Sequence, residues 1–495
     1  MRRYLLLAPA VLLLGACATA PTHDSQVTAS IATVTQGDVD AAVAALEAQM
    51  TKPETQADLL LNLEKGELLR VGSRYAESQA AFEVADAKVK VWEETARTAT
   101  EKLLGQVGAL FGGDKSLPYE GQDYEKVMLT TRMAMNRLVL GDLDNARVDI
   151  KRTHEREAII AEFRARETSE AAREAEEKGV KAETRELDGY PVETLNDPDV
   201  LALKNGYQNA LSHYLAGFLY EVLNEPGLAA PGYRHAIELR PGSPALEDGL
   251  RGLDARTGFR RKRAMTDVLF VIEAGNAPAR KSQKINLPVP TPNGLIMTSL
   301  AFPVIYPEEN PVQVTEVMVG DNMLPAALVT DFNAMARKAL SEQLPGIQAR
   351  AAVRAIGKGL IQNQVNRQLG VFGGLVGNLV AAATEPDADD RMWRALPERV
   401  FIARSFIAPG EYEIRLPGHP DAVTKMKIDG RYMVVPVRVY GNKTYFGKVA
   451  HLGKLEMLPA AKPQAASSDQ GAKKPAPRPK RAPKPKTPAA AKPAV

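Results

Sequence analysis

The sequence predicts a multidomain α + β protein, an N-terminal array of α-helical hairpins followed by an antiparallel β-rich domain with a helical insertion. Three observations predict it. Up to about residue 260 apolar residues recur at helical spacing, with small residues at helix contacts and Gly or Asn at turns. Beyond Pro241 short apolar runs punctuated by Pro and Gly take over, as expected of short strands. Between about 329 and 384 helical periodicity returns inside that strand-rich stretch. A chain of 495 residues has room for two or three domains, because single cores stop growing near ~250–300 residues.

The first seventeen residues carry Arg2 and Arg3, an apolar stretch from Leu5 to Leu14, and then Gly15-Ala16-Cys17. This is the layout of a secretory signal, too short for a spanning helix. Leu14-Gly15-Ala16-Cys17 resembles the bacterial lipobox, which implies a signal peptide over 1–16, cleavage before Cys17, and acylation of Cys17 with palmitate-like chains. Several acyl chains, each worth ~0.8 kcal/mol per buried CH₂, hold a protein where one would be marginal. Ala18 stands where an aspartate would signal inner-membrane retention, so the expected location is the outer membrane, lipid-anchored and facing the periplasm. Cys17 is the only cysteine, which excludes an internal disulfide framework and any multi-cysteine metal site.

Residues 17–35 read as the acylated cysteine and a polar linker, and 36–260 as the helical array. Three segments of the array share one spacing. Gly66, Tyr75, Phe82 and Ala85 mark the first; Ala134, Gly141 and Ala146 the second; Gly217, Tyr220, Ala229, Tyr233, Ala236 and Pro241 the third. Small residues at the crossing points let two helices approach, and bulky ones fill the gap between them. The pattern resembles the tetratricopeptide repeat, a helix–turn–helix of about 34 residues. The units do not recur at that period, because a charged segment from Arg147 to Glu186, with i,i+4 pairing potential, separates the second from the third. The expectation is an irregular array with long projecting helices, whose stacked hairpins offer a surface to protein partners.

Strands are expected at Val268–Ile272, Ser282–Leu287, Leu295–Ile305, Val312–Val319, Arg399–Ile407, Tyr412–Leu416 and Tyr432–Tyr440 within a β-rich domain over 261–459. In the insertion, Arg350, Arg354 and Lys358 are four apart and share a helix face. Residues 369–383 form a Gly-rich apolar run of about fifteen residues, below the ~20 that cross a bilayer as a helix. Packing against the sheet is the plainer reading of that run, and lipid contact or self-association the other.

Ala388-Asp389-x-Arg391-x-Trp393-x-x-Leu396-Pro397, Glu273-x-Gly275-x-x-Pro278 and Tyr124-Glu125-Lys126-Val127 together resemble a largely uncharacterised family of bacterial tetratricopeptide-containing outer-membrane lipoproteins. The resemblance covers most of 60–455. It implies a cell-envelope role, since such proteins are often encoded beside lipoproteins that activate penicillin-binding proteins. The expected function is a periplasmic scaffold binding envelope proteins, with a regulator of peptidoglycan synthesis as the alternative and a cell-wall-modifying enzyme as a more distant third.

No Gly-x-Ser-x-Gly elbow, His-Glu-x-x-His helix or phosphate loop is present. The six histidines are scattered without metal-ligand spacing, so no enzyme activity, cofactor or metal is expected. Asp389, Arg391 and Trp393 form the one candidate constellation. They read as a structural latch, with Asp387, Asp389 or Asp390 pairing the Arg350/Arg354/Lys358 face and Trp393 plugging the core.

Composition closes the reading. The formal charge of +3 is the sum of a +8 tail over 460–495, two N-terminal arginines and a body of about −7, which argues against a nucleic-acid partner. The tail, with eight Pro and nine Lys/Arg, is expected to be disordered. Its charge suits peptidoglycan carboxylates or anionic lipid headgroups.

Overall fold

The computed structural model describes residues 23–98, 115, 117–177, 189–258, 264–291, 294–348, 351 and 387–455. The segment expected to be linker forms helix α1 (His23–Thr35) instead, because Val27 and Val34 fall on one face and are buried. Helices α2 (Val39–Glu47) and α3 (Pro53–Gln56) follow. Three helical hairpins come next: α4 (Leu59–Val71) with α5 (Tyr75–Thr98), α6 (Asp123–Leu140) with α7 (Leu143–Glu177), and α9 (Ala210–Val222) with α10 (Pro226–Leu239). The short α8 (Pro198–Leu201) precedes the third, and α11 (Pro244–Arg251) and α12 (Leu253–Thr257) close the array. At 35 residues α7 is the long helix that the charged segment foreshadowed.

Each hairpin is set by local chemistry. Asp58 caps α4 by accepting the Leu61 N–H at 2.9 Å, and Asn209 caps α9 by accepting that of Ser212 at 2.9 Å. Gly141 ends α6 in the left-handed conformation, φ 80°. Where the paired helices cross, a Cβ on Gly66 would overlap the Phe82 ring, and one on Gly217 would lie 2.8 Å from the Tyr233 ring. In the second hairpin Ala134 and Ala146 do the same service and are fully buried.

The strands are β1 (Thr266–Ala274), β2 (Arg280–Thr291), β3 (Gly294–Ile305), β4 (Glu316–Val319), β5 (Asn322–Pro325), β6 (Ala327–Asp331), β7 (Arg399–Ile407), β8 (Gly410–Arg415), β9 (Val423–Ile428), β10 (Tyr432–Tyr440), β11 (Lys443–Phe446) and β12 (Ala450–Leu452). The central sheet runs β11-β10-β1-β7-β6, with β12 also on β10; β2–β3 is a separate hairpin, and β5-β4-β8-β9 a second sheet. One pair departs from the expected antiparallel arrangement. β1 and β10 are parallel, in register from Asp267↔Tyr432 to Ala274↔Val439. They are the two strands buried along their whole length, as parallel neighbours covered on both faces tend to be. The insertion begins as β6, not helix, and turns helical over 332–348, with Asp331 accepting the Ala334 N–H at 2.9 Å.

Alternate residues of β1 enter different cores. Leu269 and Val271 join Val400, Ile402 and the hairpin residues Phe82, Leu129, Tyr214 and Phe218 in the main core. Val268, Phe270 and Ile272 face Val317, Val319, Ile414 and Ile428 of the second sheet. Helices, central sheet and small sheet are therefore three layers, with the hairpins sealed onto one face of the central sheet and the small sheet onto the other.

Candidate functional site

The polar groups of the helix–sheet layer gather in defined centres. In the first, the segment 387–397 crosses α4 and α6 as a strap. Glu64 on α4 accepts the backbone N–H groups of Arg394 at 2.6 Å and Ala395 at 2.8 Å, and Glu125 in the first turn of α6 accepts that of Trp393 at 2.8 Å. Two carboxylates thus hold three consecutive peptide groups, and the fully buried Trp393 indole meets Phe82 edge-on at 5.7 Å. Glu125 also accepts from Tyr119 Oη at 2.6 Å and from the Gln122 N–H at 2.9 Å. Burial drives its pKa up to about 7, against the downward pull of those hydrogen bonds.

The strap's other residues find partners of their own. Asp389 pairs with Arg391 at 2.8 Å, Asp390 with Lys115 at 2.7 Å and Asp387 with Lys284 at 3.5 Å. Arg391 also donates to the Leu117 carbonyl at 2.9 Å and lies 5.3 Å from the Tyr119 ring centre. Arg394 reaches Asp24 of α1 at 2.6 Å. The three sequence motifs quoted together above meet here. Glu125 holds Trp393, the Ala277 N–H donates to the Leu396 carbonyl at 2.6 Å, and Arg438 donates to both the Glu273 and Ala395 carbonyls at 3.2 Å.

A second centre ties the third hairpin to the sheet. Arg404 on β7 grips Asp267 through Nε at 2.9 Å and Nη2 at 2.7 Å, and donates to Glu221 at 2.9 Å and Tyr233 Oη at 2.9 Å. Arg256 binds the same Glu221 carboxylate at 2.7 and 3.0 Å. Burial alone would raise the Glu221 pKa, but the two guanidiniums outweigh it and hold the group below the ordinary carboxylate value. Beside this balanced set of two cations and two anions opens a cleft of about 370 Å³ lined by Tyr214, Ala245, Asp248, Ala326 and Phe406.

A third centre was not legible in the sequence. His154 on α7 stacks on His213 of α9 at 4.9 Å, and His213 meets His235 of α10 at 4.3 Å. His213 Nε2 lies 3.1 Å from Glu157, and His235 Nδ1 lies 3.1 Å from Glu238. Burial, aided by neighbouring His213, lowers the His235 pKa. His154 comes from the second hairpin and His213 and His235 from the two helices of the third, so no local spacing marks them; the signal available was a histidine on each of three helices.

Of the repeat residues, Tyr75, Phe82, Ala85, Ala229, Tyr233 and Ala236 are buried at hairpin crossings, as are Gly66 and Gly217, and Tyr220 lies 5.7 Å under the Arg147 guanidinium. Pro241 follows α10. Leu14, Gly15, Ala16 and Cys17, the latch residues Arg350, Arg354 and Lys358, the run 369–383 and the tail 460–495 lie outside the described residues.

No family model matches the chain, and no curated protein matches it. A solved structure that it matches is a tetratricopeptide repeat protein from Parabacteroides merdae ATCC 43184, at 12% sequence identity and a TM-score of 0.14, covering 46% of this chain and 98% of that one.

Proposed function

We propose that this protein is a lipid-anchored scaffold of the periplasmic side of the outer membrane, a member of the tetratricopeptide-containing lipoproteins that its motifs resemble, and that its helical hairpins bind envelope proteins. The observation that carries this reading is the strap. Glu64 and Glu125 hold the backbone N–H groups of a peptide that turns at Arg394 and Ala395 while Phe82 receives its indole, so the stacked hairpins already seat one protein segment on their surface. That face is filled by the chain itself, so a partner engages the remaining hairpin surface, where Leu228 at the start of α10 is exposed. The acids and bases of the strap and of the Arg404 centre are engaged with one another, an arrangement that fixes geometry more than it offers chemistry.

A photoreactive side chain at Leu228, with one at exposed Val423 of β9 as control, tests it in intact cells. Crosslinks to an envelope protein from Leu228 alone, and loss of both membrane fractionation and palmitate labelling in Cys17→Ser, are expected. Membrane-bound, palmitate-labelled Cys17→Ser protein would sink the anchor, and the absence of Leu228 products the scaffold. A penicillin-binding protein or its activator among the products narrows the scaffold to a regulator of peptidoglycan synthesis.

A further inference from the structure

Where the first two hairpins meet the central sheet, five charged side chains are buried together. Glu67 and Arg70 come from α4, Arg132 from α6, Glu273 from β1 and Arg438 from β10. Arg132 contacts both acids, Glu67 at 2.5 Å and Glu273 closer still. Arg70 stands 3.9 Å from each acid and donates to Asn136 Oδ1. Arg438 has no carboxylate partner among the described residues. It donates to three backbone carbonyls, of Glu273, Val439 and Ala395, each at 3.2 Å, and lies 3.9 Å over the Tyr440 ring.

Three guanidiniums against two carboxylates leave one positive charge in a place shielded from water. The hydrogen-bond inventory has the same gap. Arg70 Nε, Arg438 Nε and Arg132 Nη2 are buried N–H donors with no protein acceptor, and donors in that position are rarely left unmet. Two of the three residues, Arg70 and Arg438, line a cavity of about 20 Å³ with Glu67, Glu273, Tyr75, Pro436, Tyr445 and Gly447. About 10–15 Å³ is enough for one small occupant. A neutral water would accept hydrogen bonds there but leave the charge uncompensated, whereas an anion does both. Burial raises the Glu67 pKa, whereas at Glu273 burial is outweighed by Arg132 and Arg70 and the pKa is lowered.

We infer that this cavity is a binding site for one small monovalent anion, chloride or a single carboxylate group, held by Arg70 and Arg438 and cementing the first hairpin to strand β10. A space of about 20 Å³ suits a monatomic or two-oxygen anion better than a tetrahedral oxyanion. A bound anion bridges Arg70 of α4 and Arg438 of β10, so it stabilises the fold by linkage without joining any reaction.

The test uses the full chain at fixed pH and ionic strength, comparing thermal unfolding in sodium methanesulfonate, chloride, formate and sulfate. Chloride or formate is expected to raise the midpoint saturably, on the order of 2 °C at tenfold excess over the dissociation constant, with sulfate no better than methanesulfonate. Preference for chloride identifies a halide site and preference for formate a carboxylate site. Arg438→Gln should abolish the anion dependence, while exposed Arg251→Gln keeps it. Should Arg438→Gln fail to fold, crystals of the unaltered protein soaked in bromide decide the matter by anomalous scattering between Arg70 Nε and Arg438 Nε. Equal midpoints in all four salts, or no bromide peak in the cavity of a protein that prefers chloride, overturn the inference.

Discussion

Glu125 and Glu221 are both buried carboxylates at joints between helices and the strands that follow, yet the two joints titrate in opposite senses. Glu221 faces Arg404 and Arg256 and is held ionised below its ordinary range. Glu125 is met by peptide N–H groups and a tyrosine hydroxyl, and burial pushes it up to about 7. Hydrogen bonds satisfy a carboxylate's lone pairs in either place, but a cation is needed to hold its charge away from water. The third hairpin is locked to the sheet by ion pairs, and the strap is locked to the first two hairpins by a group poised to shed or keep a proton near neutrality.

The comparison can be broken most forcefully at Arg404. Arg404→Met removes the cation from two buried acids and should cost about 3–5 kcal/mol in urea unfolding; a loss no larger than for an exposed residue would mean the pairing carries little weight. The next effect is a pH dependence. Between pH 4.5 and about 7 the unfolded chain has released the Glu125 proton that the folded chain keeps, so its stabilising contribution is complete below 4.5 and lost as pH rises through 7. The loss is about 3 kcal/mol. Glu125→Gln, which mimics the protonated acid, should therefore match the unaltered protein in acid and exceed its stability above neutrality. Glu221 has the reverse sign, with its contribution present above pH 4.5 and lost as pH falls. Glu221→Gln should be the less stable protein at neutral pH, by about 1–3 kcal/mol, and converge with the parent in acid. Equal signs for the two Gln variants at pH 8 would erase the distinction.

The parts legible in the sequence are those whose causes are local. Val, Ile and Phe runs marked β7 (Arg399–Ile407) and β10 (Tyr432–Tyr440) to the residue, and the pairing of Gly66 with Phe82 and of Gly217 with Tyr233 marked two hairpin crossings. The short strands β5, β6, β9, β11 and β12 were missed, since three to six residues with mixed burial carry little periodicity. The parallel pairing of β1 with β10 is decided by tertiary packing, which no turn between them announces. Asp389, Arg391 and Trp393 were read as a latch onto Arg350, Arg354 and Lys358, which lie outside the described residues; partners that the structure does show, Glu125 and Tyr119, sit more than two hundred residues away. The His154–His213–His235 stack escaped for the same reason.

The strap also sets the order in which this protein can become itself. An ordinary helical solenoid adds stability unit by unit from either end, because each repeat contacts only its neighbours. Here the first hairpin's Phe82 waits for an indole that is made more than three hundred residues later, and Glu64 and Glu125 lack the strap's peptide donors until then. The N-terminal helices emerge first and finish last. Folding is thus closer to closing a clasp than to stacking bricks, with the long-range closure that slows assembly and leaves partial chains incomplete. A chain truncated before Trp393 lacks the residue that fastens its own beginning.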